Sequence, residues 1–164
     1  MPKLAALAVS VGVLAVVATW IFDLGPLVTM KLQVWQAFIA WGCHFHSGGK
    51  ITGTRNTVAC MSFGAVVGMA AVLLAGKLGA LGPLGVPVAV GLGATVIVLA
   101  SKLPLLATIP ASVYGFAAVA GLILLGPMTP VSALLPTILS VVIGAAFGIV
   151  SEMLADALSR KSAA

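Results

Sequence analysis

The sequence predicts an all-α integral membrane protein, a bundle of six transmembrane helices. Three observations carry that expectation. Charged residues are scarce, with 8 Lys and Arg and 3 Asp and Glu in 164 positions. The mean hydropathy is +1.27. Apolar runs recur six times, and nearly every charge falls between them. A helix rises ~1.5 Å per residue and the hydrocarbon core of a bilayer is ~30 Å thick, so about 20 mostly apolar residues are needed to cross. Leu4–Phe22 meets that requirement without a single charge.

Span 1 is Leu4–Phe22, closed by Asp23-Leu24-Gly25-Pro26. Met1 and Lys3 ahead of an apolar run imitate a signal peptide, but the run continues past Val16 and Ala18 to Phe22, which reads as a retained first helix. Segment 2, Leu32–Gly49, is the most polar of the six, and the alternative fold makes it a re-entrant helix beside five spans. Span 3 is Thr57–Gly76. The breaker-rich stretch Gly79–Gly85 then leads into span 4, Val86–Lys102. Span 5, Leu105–Gly126, carries Pro110, and Gly126-Pro127-Met128-Thr129-Pro130 forms the last turn because proline cannot continue a helix there. Span 6, Val131–Ser151, runs into a short amphiphilic tail, 152–164, where Asp156 and Arg160 have i,i+4 spacing. The whole of 1–164 is one helical domain.

Lysine and arginine orient such a bundle, because they are enriched in cytoplasmic segments. With six spans and the N-terminus inside, Lys3, Lys50, Arg55, Lys102, Arg160 and Lys161 lie inside, against Lys31 and Lys77 outside. Five spans exchange Lys3 for Lys31 and leave the same bias. Both arrangements place the C-terminus in the cytoplasm. The scattered cations form no nucleic-acid footprint, and two cysteines make no disulfide framework. No nucleophile–base or carboxylate pair is visible, so no enzymatic role and no cofactor are expected.

No span centre contains a charge, whereas ion-coupled transporters keep a buried carboxylate for the coupling ion. A passive pathway for a small neutral solute fits the pattern better. Segment 2 holds the densest polar set, including Gln36, Cys43, His44, His46 and Ser47; the i, i+7, i+11 spacing places Gln36, Cys43 and Ser47 on one helix face. Unpaired amides and imidazoles cost ~2–7 kcal/mol in hydrocarbon, so these groups face the interior, as a lined pathway or as polar contacts between helices. Trp35 and Trp41 read as a lining or as an interfacial aromatic belt. Cys43-His44-x-His46 has the donor chemistry for zinc or copper, but Cys43 and His44 diverge by about 100° on a helix and only Cys60 is at hand to complete a site, so no metal is expected. Histidines that titrate near neutral pH would alternatively gate a pathway. Pro104 and Pro110 remove amide donors around Thr108, a combination that exposes oxygen atoms able to relay a solute. Gly64-x-x-x-Gly68 and Gly144-x-x-x-Gly148 provide small faces for helix contacts, within the chain or between copies.

The stretch Leu103-Pro104-Leu105-Leu106-Ala107-Thr108-Ile109-Pro110 resembles the urea-transporter signature Leu-Pro-x-x-Thr-x-Pro-Phe, with Ala107 inserted and Ala111 in place of the phenylalanine. Gly48-Gly49 and Asn56 are similar to that family's upstream Gly-rich segment and asparagine. The resemblance implies passage of urea or a short amide and a half-sized chain, since that family pairs two inverted halves in one chain. The charge bias predicts a single orientation and the bundle has little room for a pore, so a parallel homo-oligomer with one pathway per subunit is expected. The whole chain, through Trp41–Gly49 and Ile109–Ala117, is similar to small bacterial inner-membrane proteins defined only by a domain of unknown function. The expected function is therefore a passive channel or facilitator, with Gln36, Cys43, His44, His46, Asn56, Pro104, Thr108 and Pro110 as pathway residues. The alternative is a membrane scaffold or accessory subunit that transports nothing.

Overall fold

The computed structural model describes residues 1–160, the Arg160 side chain excepted; the expected Asp156–Arg160 pair and Lys161 thus lie outside the described residues. Every regular element among the described residues is helical. In order these are α1 (Lys3–Phe22), α2 (Gly25–Thr29), α3 (Val34–His46), α4 (Lys50–Lys77), α5 (Gly85–Ala100), α6 (Ile109–Leu125) and α7 (Pro130–Arg160), with short 3-10 turns at Gly79–Leu84 and Pro104–Leu106.

Four helical stretches are long and apolar enough to cross a membrane: Lys3–Phe22, Lys50–Lys77, Gly79–Ala100 and Pro130–Ser159. This is a membrane-embedded helical protein. The two remaining segments are shorter than the sequence suggests. At 17 residues α6 covers about 25 Å, and at 13 residues α3 covers about 20 Å, against a hydrocarbon core of ~30 Å. Segment 2 is trimmed at both ends for identifiable reasons. Gln33 is extended and donates its backbone N–H to Ser140 Oγ instead of starting a helical turn. At the other end Gly48 and Gly49 have positive φ, and the Gly49 N–H returns to the His44 carbonyl, a glycine-dependent helix stop. Span 5 loses Leu105–Thr108 because Pro110 occupies the first turn of α6, where its missing donor costs nothing. Its proline therefore starts the helix and does not break its interior. Conversely, span 6 and the tail are one helix, α7, 31 residues and about 46 Å long.

α7 and α4 form the middle of the bundle. α7 packs on α1, α3, α4 and α6, while α4 also receives α5 and α6. Buried residues of α1 fall at Ala6, Ser10, Ala18 and Phe22, and those of α5 at Gly85, Ala89, Gly93 and Ile97, all at multiples of four. Each of these peripheral helices thus turns one narrow stripe inward and leaves aliphatic side chains such as Val13, Val16, Val90 and Leu99 exposed to lipid. Contact between helices relies on small residues. A Cβ at Gly64 would overlap the Ser112 carbonyl, one at Gly115 the Met61 carbonyl, and one at Gly144 the Ala37 carbonyl. A Cβ at Gly148 would run into the His44 ring. Both GxxxG faces are therefore occupied within the chain, in the close backbone approach such motifs permit.

Candidate functional site

α3 organises the polar interior. Gln36, Ala37, Ala40, Trp41, Cys43 and His44 are buried, an inward stripe at i, i+1, i+4, i+5, i+7 and i+8 from Gln36. Gln36 is fully enclosed; its Nε2 donates to the Ala118 carbonyl of α6 at 2.9 Å and to Thr137 Oγ1 of α7 at 3.1 Å. Its Oε1 has no hydrogen-bond partner among the described residues. The same holds for the hydroxyls of Thr57 on α4 and Ser112 on α6, both 0% exposed, and for Ser62 Oγ. An unpaired buried polar atom costs about 1–3 kcal/mol. Cys43 and Cys60 share an apolar cluster with Met61, Ala111 and Val141. Cys43 Sγ meets Ser47 Oγ at 3.5 Å, and Cys60 Sγ donates to the Leu105 carbonyl.

One end of the bundle is closed by a polar junction of α3, α4 and α7. His44, fully buried, brings Nε2 to 2.9 Å from Glu152 Oε2, and Nδ1 to 3.2 Å from Thr54 Oγ1. Thr54 also lies 3.0 Å from the Lys50 carbonyl. The threonine carries one proton, so it either donates to Nδ1 or accepts from it while donating to Lys50. Where the threonine donates to Nδ1, the neutral ring carries its proton on Nε2 and donates it to the carboxylate. Glu152 Oε2 accepts the backbone N–H of Lys50 as well. The carboxylate of α7 thereby caps the start of α4, whose own N-cap, Gly49, supplies no side chain. A negative charge suits that position because the free amides of a helix start are partially positive. Room is made by glycine: Gly49 faces the Glu152 carboxyl, Gly53 the His44 carbonyl and Gly148 the His44 ring. Lys50 itself sits at φ +50, a left-handed conformation that costs a non-glycine residue about 1–2 kcal/mol. Beside the junction, Trp41 stacks on Phe38 and Phe147 and donates Nε1–H to Ser151 Oγ, while Ser10 of α1 donates to the Ser151 carbonyl.

The opposite end opens into a cavity of about 650 Å³, between the α1–α3 connection and the end of α6. Asp23, Lys31, Gln33 and Trp35 line one side, and Gly121, Leu122 and Met128 the other. The Trp35 ring lies 3.2 Å from where a Gly121 Cβ would be, which puts Trp35 at the edge of the cavity and Gln36 next in sequence beyond it. Trp35 also donates Nε1–H to Gln33 Oε1. The cavity exists because α3 starts late: Gln33 stands at the level of Ser140, ten residues into α7.

Of the residues singled out from sequence, Gln36, Cys43 and His44 are brought into the interior. His46 is exposed and edges the Tyr114 ring, on the far side of α3 from Glu152. Thr108 is half-buried as the N-cap of α6, one turn before Ser112 on the same face. Pro104 and Pro110 are exposed at the connection ahead of it. Asn56 is half-buried on α4, one turn before Cys60, which contacts Leu105. Trp41 is enclosed at 4% exposure, inside the bundle. Sequence reasoning passed over Glu152, which looked like a span-end charge, and over Ser10, Thr57, Ser112, Thr137, Ser140 and Ser151. The available signal was hydroxyls recurring inside apolar runs. Among the described residues no three His, Cys, Asp or Glu side chains converge as metal ligands.

Residues 8–156 match the family described as protein of unknown function DUF1097, and the chain belongs to that family. No curated protein and no solved structure matches it.

Proposed function

We propose that this DUF1097 protein is a passive channel or facilitator for a small uncharged polar solute, of the size and chemistry of urea or a short amide. The observation that carries the reading is the set of unpartnered interior oxygens: Gln36 Oε1, Thr57 Oγ1 and Ser112 Oγ, in the bundle between the 650 Å³ cavity and the His44–Glu152 junction. A planar amide offers N–H donors that such acceptors and hydroxyls would take in turn, and its neutrality avoids the cost of a bare charge in hydrocarbon. Thr108, one turn from Ser112, extends the series toward the junction. The partial likeness of Leu103–Pro110 to the urea-transporter signature favours the same solute class.

In this reading α3 and α6 complete six crossings with the help of their flanking connections. The His44–Glu152 end faces the cytoplasm of a bacterial inner membrane, and the Asp23 cavity is the outer vestibule. That assignment follows the cationic bias of Lys3, Lys50, Arg55 and Lys102. His44 and Glu152 close the inner end. The chain works as a parallel homo-oligomer with one pathway in each subunit, the exposed aromatic edge of α3 at Trp35 and Phe38 being available for contact between copies.

Stopped-flow light scattering on proteoliposomes after a urea gradient tests the proposal. Faster relaxation than in protein-free liposomes, slowed severalfold by Gln36→Leu or Ser112→Ala, is the expected result. Relaxation equal to that of protein-free liposomes overturns it and favours the scaffold alternative.

A further inference from the structure

A second, smaller cavity of about 200 Å³ lies at the Glu152 end, formed where α1, α3, α4 and α7 meet. Lys3 and Lys50, the acidic residues Glu152 and Asp156, and the apolar residues Leu7, Phe45 and Ala155 line it. Three of the four charges, Lys3, Lys50 and Asp156, are exposed and enter no ion pair among the described residues; Glu152 is committed to His44 and to the start of α4. Opposite charges around one cavity normally close onto each other, at a gain of up to ~1 kcal/mol for an exposed pair. Here they stand apart around an open space, with apolar side chains next to them. The cavity is also at the start of α1 and near the end of the apolar helix α7, and the ends of membrane-crossing helices are where headgroups are met.

We propose that this cavity binds the headgroup of a zwitterionic aminophospholipid. The phosphate would lie against Lys3 and Lys50, the ammonium would face Asp156 and the outer Glu152 oxygen, and the first carbons of an acyl chain would follow Leu7 and Phe45. A phosphate monoanion and an ammonium a few ångströms apart match the two signs of the cavity wall, while a purely anionic headgroup leaves the carboxylates unanswered. Binding here would tie α1 to the α3–α4–α7 junction, since Lys3 is the sole cation on α1.

Native mass spectrometry of the detergent-purified protein tests this with two lipids of identical acyl chains, phosphatidylethanolamine and phosphatidylglycerol, and with water-soluble glycerophosphoethanolamine. Phosphatidylethanolamine should be retained about tenfold better than phosphatidylglycerol. Lys3→Ala should lower retention of both, and Asp156→Asn should abolish the preference between them. Both positions are exposed, so neither change threatens folding, and Lys102→Ala at the same end of the bundle serves as the control that leaves retention unchanged. Equal retention of the two lipids by the unmodified protein, or an unaltered preference in Asp156→Asn, overturns the proposal. Retention of glycerophosphoethanolamine as strong as that of the lipid also overturns it, because the site would then serve a free solute.

Discussion

His44 acquires its meaning from Glu152, a residue 108 positions away, whose carboxylate it meets at 2.9 Å. Glu152 is 26% exposed at its side chain, and glutamine in its place keeps an acceptor oxygen but removes the charge that faces a fully buried imidazole and the Lys50 amide. Hydrogen bonds to charged groups contribute about 1.5–3 kcal/mol. Glu152→Gln is expected to lower the unfolding temperature in detergent by several degrees, and His44→Ala by at least as much, as read by scanning fluorimetry; unchanged melting in both would mean the junction is not structural. Thr57 behaves oppositely. Its hydroxyl has no partner among the described residues, so Thr57→Val should leave melting unchanged or raised while slowing solute flux. A destabilised Thr57→Val would show that the hydroxyl is satisfied in the protein and serves packing. At this scale the sequence was legible only within one helix. The i, i+7, i+11 relation put Gln36, Cys43 and Ser47 on one face; the first two are buried and Ser47 is half-buried at the end of α3, and no local spacing connects His44 to Glu152.

Helices α3 and α6 are shortened by particular residues, and their neighbours compensate by close packing. The proline in the first turn of α6 and the glycine pair after α3 were visible as breakers. Their effect on length was not, because it depends on Ser140 and Glu152 presenting tertiary partners for Gln33 and Lys50. Likewise the GxxxG pairs were legible as contact faces, whereas the surfaces they meet, the Ser112 and Ala37 carbonyls and the His44 ring, are set by three-dimensional pairing. Gly115→Leu should prevent α4 and α6 from approaching and leave little folded protein. Gly12→Leu, at a position open to the surroundings, should be accepted with near-normal yield. Size-exclusion profiles of the two variants make the comparison, and equal behaviour would contradict the packing described. The late start of α3 makes a further prediction. A thiol introduced as Gln33→Cys should react with a membrane-impermeant maleimide added from the cavity side, although Gln33 is level with Ser140, ten residues into α7. Native Cys43 and Cys60, 1% and 0% exposed, should stay silent. Failure of Gln33→Cys to react in intact vesicles would close the vestibule.

For the molecule as a whole, composition alone assigned the membrane, because apolar runs of this length have no soluble use. The number of crossings was less legible: four stretches have the required length, and two shorter helices depend on how the bilayer adapts around them. Function was least legible, since a pathway is a relation among single hydroxyls and amides on different helices. The proposed pathway is most directly tested by urea flux in proteoliposomes carrying the Gln33→Cys variant, before and after a bulky maleimide is applied from the cavity side. Relaxation faster than in protein-free liposomes, falling to the protein-free rate on labelling while the unmodified protein is unaffected, is the predicted result. A rate indistinguishable from protein-free liposomes before any labelling would contradict it.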